Sequence, residues 1–247
     1  MEYVAVTALT HEGLVREHNE DSMVVGPWTT CASVTQTPET LFFPLEDPLL
    51  VAVADGLGGH SAGEVASTVV VQELARSGRT VDDEASLREV LDGCNQAIYD
   101  AATREPAWAG MGTTVAGLLV SDTFVRVFNV GDSRVYALDD DGLSQLSVDD
   151  NPPLAPGQTH TSVLTQTMGG HPGRQRVEAH VSTRNREAGC RYLVCTDGLS
   201  DVVDPEAITD VLRAHRGGQA VYELWRAAID GGGPDNITIL TVEFGSR

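Results

Sequence analysis

Five short segments of this chain set an acidic residue beside glycine or asparagine. They are Asn19-Glu20-Asp21, Asp55-Gly56, Gly131-Asp132-Ser133-Arg134, Thr196-Asp197-Gly198 and Asp235-Asn236. Three come close behind apolar, β-branched runs: Leu49 to Ala54, Val125 to Val130 and Tyr192 to Cys195. A strand that ends there delivers its last side chain to a fixed place at the sheet edge, and the glycine lets the backbone turn without a Cβ clash. Carboxylates gathered in this way repel one another, and hard divalent cations with oxygen ligands are the usual compensation. The pattern predicts a multinuclear Mg²⁺ or Mn²⁺ site. Asp-Gly and Asp-Asn are also ordinary turn dipeptides, so each segment alone has a plain reading. Five together, with strands leading in, favour the metal.

The elements that must position these residues follow from periodicity. Strands are expected over 4–9, 22–25, 49–54, 113–120, 123–130, 134–138, 143–146, 177–182, 191–195 and 236–244. Apolar residues at helical spacing predict helices over 64–76 and 86–103 (Val65, Val69, Leu74; Leu87, Val90, Leu91, Ile98), with two more over 205–216 and 218–229. Residues 29–48 lack clear periodicity and read as a long loop or ragged hairpin. Ser121-Asp122 reads as a two-residue hairpin loop. Strand-rich ends with segregated helix pairs indicate an α+β fold. No linker or repeat divides the chain, so residues 1–247 are expected to form one domain.

The formal charge of −20 argues against nucleic-acid binding and suits a protein that collects cations. All 16 cationic residues are Arg. Cys31, Cys94, Cys190 and Cys195 show no Cys-x-x-Cys spacing, which disfavours a zinc ribbon. No apolar run approaches a membrane span and no signal peptide is recognisable, so a soluble, cytoplasmic protein with reduced thiols is expected.

Read together and in order, the segments resemble the metal-dependent protein phosphatases, the type 2C serine/threonine family in its bacterial form. The resemblance rests on Arg16-x-x-Asn19-Glu20-Asp21, Asp55-Gly56-Leu57-Gly58-Gly59-His60, Gly112-Thr113-Thr114, Gly131-Asp132-Ser133-Arg134, Cys195-Thr196-Asp197-Gly198-Leu199 and Asp235-Asn236-Ile237-Thr238. It implies two antiparallel β-sheets packed face to face between helix pairs, with two Mn²⁺ or Mg²⁺ ions at one end and a weaker third. Carried over, Asp55 would bridge the metals and the Gly56 carbonyl would bind one of them. Asp197 and Asp235 would hold the other, and Glu20 and Asp21 would support the cluster. Asp132, with Asp197 and Asp201, matches the third position. Arg16 would clamp the substrate phosphate, and since Arg cannot ligate a cation, its removal is expected to leave metal affinity nearly unchanged. The implied reaction is hydrolysis of phosphoserine or phosphothreonine in proteins, the substrates of a kinase acting in trans, by a monomeric enzyme.

Two departures stand out. Leu57 occupies the place where many eukaryotic relatives carry the His taken as leaving-group acid, with His60 three residues on. The segment 149–164, where the family usually carries a longer flap, looks shortened and holds Pro152, Pro153 and Pro156. Two other functions compete. A catalytically silent relative would keep the fold and bind phosphoproteins. Gly59-His60-Ser61-Ala62-Gly63 also matches the G-x-S-x-G elbow of serine hydrolases, with Ser61 as nucleophile. Asp55 to Gly59 separate the strand from that serine, and a cap for the following helix is the plain role for Ser61.

Overall fold

The computed structural model describes residues 2–58, 62–154 and 161–246. In chain order these form β1 (Glu2–His11), β2 (Ser22–Val25), β3 (Trp28–Cys31), β4 (Glu39–Pro44), β5 (Leu49–Ala54) and β6 (Gly56–Leu57). Helices α1 (Ala62–Ser77) and α2 (Glu84–Arg104) come next. Then follow β7 (Gly112–Thr113), β8 (Val115–Val120), β9 (Phe124–Val130), β10 (Arg134–Leu138), β11 (Leu143–Gln145), β12 (Met168–Gly169), β13 (His180–Asn185) and β14 (Arg191–Cys195). Short α3 (Asp197–Ser200), then α4 (Pro205–Ala214) and α5 (Gly217–Asp230), precede β15 (Ile237–Ser246).

Two six-stranded antiparallel sheets carry the fold, ordered β11-β10-β14-β15-β1-β4 and β13-β9-β8-β5-β2-β3, and a small sheet β12-β7-β6 stands apart. The central strands have both faces covered, which explains their unbroken apolar runs. In β5, Val51 and Val53 point between the sheets, while Leu50, Ala52 and Ala54 pack under α1 and α2. In β14, Tyr192 and Val194 face inward, and Leu193 and Cys195 meet α4 and α5. The result is the expected α+β sandwich in four layers, helices outside two sheets.

Helix starts follow their caps. Asp83 accepts from the Ser86 N–H at 2.8 Å ahead of α2, and Asp204 accepts from the Ala207 N–H at 2.8 Å ahead of α4, with Pro205 in its first turn. Such caps are typically worth ~1 kcal/mol each.

Three expectations need correction. Residues 29–48 are neither loop nor single hairpin: β3 pairs with β2 in one sheet, and β4 pairs with β1 in the other. Both are edge strands and half exposed: Trp28 and Phe42 stand in solvent, while Leu41 and Phe43 of β4 pack on the core between the sheets, so neither strand shows an unbroken apolar run. The strand placed over 177–182 lies at β13, 180–185, paired only with β9. The 121–122 turn is longer than two residues, with Val120 facing Val125.

Candidate metal centre

Antiparallel pairing brings the chemistry to one end. Ser22 faces Ala54 across β2 and β5, Arg134 faces Cys195, and Cys195 faces Ile239. Asp21 before β2, Asp55 after β5, Asp132 between β9 and β10, Asp197 after β14 and Asp235 before β15 therefore share one edge of the sandwich.

Each is held there by its neighbours. The Asp55 carbonyl accepts from the Thr113 hydroxyl at 2.7 Å and from the Thr114 N–H at 2.9 Å, and its N–H donates to Thr114 Oγ1 at 3.2 Å. Thr114 Oγ1 lies 2.7 Å from Ser133 Oγ, tying this corner to the Asp132 turn. Gly56 is buried on β6 with no room for a Cβ, which would meet the Glu20 carbonyl at 2.6 Å. A Cβ on Gly198 would collide with the Asn236 carbonyl, so only glycine lets α3 start against β15.

Asp21 is fully buried. Its Oδ2 accepts from the hydroxyls of Thr238 at 2.6 Å and Thr196 at 2.9 Å, while its Oδ1 has no partner. Asp197 is half-buried and its Oδ1 is likewise orphaned. Asp132 Oδ2 accepts from the Asn151 amide at 3.2 Å. Asp201 is exposed at the end of α3, its N–H donating to the Asp197 carbonyl at 2.8 Å. Glu20 lies beside the first turn of α1, where a Cβ on Gly63 would come within 2.7 Å of its Oε2; a helix N-terminus suits a carboxylate.

Arg16 is not free. Its Nη2 donates to Asp235 Oδ2 at 2.7 Å, and the other carboxylate oxygen accepts from the Asn236 N–H at 2.8 Å. The residue expected to clamp phosphate and a residue expected to hold metal are thus paired with each other. Asn236 in turn secures the Arg16 loop. Its amide donates to the carbonyls of Glu12 at 3.0 Å and His18 at 2.9 Å, and its Oδ1 accepts from the Glu20 N–H at 2.8 Å.

Electrostatics single out the cluster. Burial first, then the charges of Asp197, Asp21, Asp235 and Asp132, push the Asp55 carboxyl well above its ordinary range. Burial, then Asp132, Asp235 and Asp201, raise Asp197 to about 8. Asp21 rises to about 7 through burial, against the two threonine hydroxyls that favour its anion. Asp132 and Glu20 are raised as well, chiefly by burial. Among the described residues, no group of three or more such side chains is drawn together tightly enough to hold an ion as it stands. The donor set still fits Mg²⁺ or Mn²⁺. It consists of hard oxygens, and the orphaned buried oxygens of Asp21 and Asp197 are acceptors that need a cation or a proton.

A profile of the protein phosphatase 2C family matches residues 28–223. The chain belongs to this family. It is 34% identical to the serine/threonine protein phosphatase PstP of Mycobacterium tuberculosis over 96% of its own length, and it spans 44% of that protein. It is 29% identical to the serine/threonine phosphatase stp of Listeria welshimeri, covering 95% of this chain and 93% of the other. The solved catalytic domain of PstP in complex with two manganese ions superposes with a TM-score of 0.81 at 32% identity, over 100% of both chains. Stp1 of Staphylococcus aureus superposes with a TM-score of 0.80 at 26% identity, over 98% of this chain and 95% of that one.

Sequence reasoning located the acidic residues but missed what supports them. The Thr196 and Thr238 hydroxyls on Asp21, the Thr113–Thr114 cradle around Asp55 and the Asn236 amide all lie inside the quoted motifs, yet no role was read for them. Hydroxyl residues at strand ends beside an acidic residue were the available signal. His60 and Ser61, and with them the serine-hydrolase reading, lie outside the described residues. Leu57 is partly buried on β6. No helix among the described residues is long and apolar enough to cross a membrane.

Proposed function

We propose that this chain is a metal-dependent protein serine/threonine phosphatase, with residues 1–247 acting as one catalytic domain. Its substrates would be phosphoproteins made by a kinase acting in trans, and it would work as a cytoplasmic monomer. The observation that carries this reading is the convergence of Asp21, Asp55, Asp132, Asp197 and Asp235 on one sandwich edge, with buried oxygens that lack partners. Asp55 and the Gly56 carbonyl would hold one divalent ion, and Asp55 with Asp197 and Asp235 would hold a second. Glu20 and Asp21 would act from behind, and Asp132 and Asp201 would complete a weaker third position with Asp197. Ions at such a centre supply a nucleophilic water at neutral pH and neutralise phosphoryl oxygens. The chain supplies the rest. Thr113 and Thr114 fix the Asp55 backbone, Thr196 and Thr238 orient Asp21, and Arg16 offers a planar fork to phosphate that Lys cannot reproduce.

Turnover of an aryl phosphate with Mn²⁺ or Mg²⁺, lost in excess chelator, is the expected result. Full turnover in chelator, or labelling of Ser61 by a serine-directed phosphonate with loss of activity, would overturn the reading. Arg16→Ala should lower kcat/KM about ten- to a hundred-fold, the equivalent of ~1.5–3 kcal/mol for a hydrogen bond to a charged group, and Arg16→Lys should not restore it. A fully active Arg16→Ala enzyme removes the clamp.

A further inference from the structure

The loop that carries Arg16 also carries two aliphatic residues with no place in the core. Leu14 is 63% exposed and Val15 67% exposed. A single exposed Leu is unremarkable in any protein surface. Here the loop that carries them is tied to the body of the protein at several points. The Leu14 N–H donates to the Gly233 carbonyl at 2.8 Å, and the Gly13 N–H donates to His11 Nδ1 at 3.0 Å. The Asn236 amide grips the loop at Glu12 and His18. Gly13 has a φ of 79° and packs so closely on the Asp235 carbonyl that a Cβ there would collide. A loop tied down this firmly is not an idle tip, yet it holds two branched apolar side chains in water immediately before Arg16. A third exposed aliphatic, Val163 at 58%, borders the other part of the centre: the Asn151 amide donates both to the Val163 carbonyl at 3.0 Å and to Asp132 at 3.2 Å.

We propose that Leu14 and Val15 form an apolar lip of the site that selects phosphorylated segments carrying an aliphatic side chain next to the phosphorylated residue and basic residues beyond it. The inference rests on the phosphatase reading above and adds the substrate class. With phosphate held at the Arg16 guanidinium, whose Nη2 donates to Asp235 in this structure, a neighbouring substrate residue would lie beside Val15 and Leu14 on the same loop. The net charge of −20 favours a cationic segment over a second copy of this chain or an anionic lipid surface, both of which it repels.

The test compares two phosphothreonine peptides with identical flanking arginines, one with Leu and one with Ser on both sides of the phosphothreonine. The readout is the ratio of kcat/KM values with Mn²⁺ for the native chain and for Leu14→Ser/Val15→Ser. The native chain should prefer the Leu peptide by about tenfold, the low end of what a methylene is worth in an enclosed pocket, because the lip is open to water. The double variant should fall to about twofold or less. Val15→Thr, branched at Cβ and nearly isosteric, should lose part of the preference and keeps the test available if the double variant does not fold. Equal turnover of both peptides by the native chain, or a preference that survives the double substitution, overturns this inference and leaves the phosphatase reading standing. Self-association in sedimentation that Leu14→Ser/Val15→Ser abolishes would assign the lip to a second copy and likewise overturn it. No turnover of either peptide with Mn²⁺ overturns the phosphatase reading and this inference with it.

Discussion

Asp21 and Asp55 sit at the same edge, the first fully buried and the second half-buried, and the fold treats them differently. Asp21 has two threonine hydroxyls on one oxygen, and Thr238 is itself backed by Thr10 at 2.7 Å. Around Asp55 the hydrogen bonds go to the backbone, while desolvation first and then four other aspartates raise its carboxyl. The interior of the protein therefore satisfies half of Asp21 and leaves the Asp55 carboxylate to be satisfied from outside. The first arrangement builds structure, and the second suits the cation proposed above.

The sharpest way to break this comparison is at Asp55 and Asp197. Asp55→Ala or Asp197→Ala should cut kcat by on the order of 10³-fold or more, since each would remove a ligand of the proposed centre that generates the nucleophile. In chelator the same variants should melt no lower than the native chain, and higher if repulsion is the dominant cost. Near-normal turnover in either variant would show that the centre lies elsewhere.

The pH dependence sharpens it further. Unfolded aspartate titrates near ~4, whereas folded Asp21 is raised to about 7 and Asp197 to about 8. Across that window the folded chain holds more protons than the unfolded one, so metal-free stability should fall as pH rises from about 4 to about 8. Mn²⁺ should flatten that slope by taking the place of the protons. Thermal melts in chelator and in Mn²⁺ across this range check both signs; a metal-free chain that gains stability with rising pH contradicts the repulsion.

Thr238→Val tests the other half. It removes the hydroxyl that donates to Asp21 at 2.6 Å and leaves a buried carboxylate with one donor fewer, which should cost ~1.5–3 kcal/mol of stability. Its effect on kcat should be far smaller than that of Asp55→Ala. If Thr238→Val matched Asp55→Ala in rate loss without loss of stability, the division between a structural and a metal-holding carboxylate would not hold.

The acidic segments, the central strands and the four long helices were legible because each is written locally: an apolar run, a helical period, a glycine after an aspartate. The edge strands β3 and β4 were not, and β13 was displaced by three residues, because half-exposed strands carry no unbroken apolar run; for β4 the pairing partner is also distant in sequence. Glu39, for example, faces Ala8. Nor could spacing show which carboxylates would find donors. Thr196 and Thr238 meet Asp21 only because β14 and β15 pair in a register that sets Cys195 opposite Ile239. Arg16 is the clearest case, since its position before Asn19-Glu20-Asp21 suggested a phosphate clamp and gave no hint of Asp235, 219 residues away in sequence.

That pairing changes what Arg16→Ala should do to metal affinity. From sequence alone the expectation was no effect, because a guanidinium cannot ligate. In the structure it occupies an oxygen of Asp235 and acts as the local counter-charge, its own pKa raised by the hydrogen bond to Asp235 and by the nearby charges of Asp55 and Glu20. A cation at Asp235 must compete with it. The competition is modest, since Arg16 and Asp235 are 53% and 33% exposed and pairs of that kind are worth at most about 1 kcal/mol. Arg16→Ala should therefore bind Mn²⁺ more tightly than the native chain, by no more than about fivefold, while losing phosphate affinity. Calorimetric titration of Mn²⁺ into both proteins decides it without reference to turnover. Weaker Mn²⁺ binding in Arg16→Ala would mean that the arginine holds Asp235 ready for the ion, and an unchanged affinity would mean that the pair dissolves at no cost. Only tighter binding makes Arg16 a counter-charge that competes with a cation for Asp235.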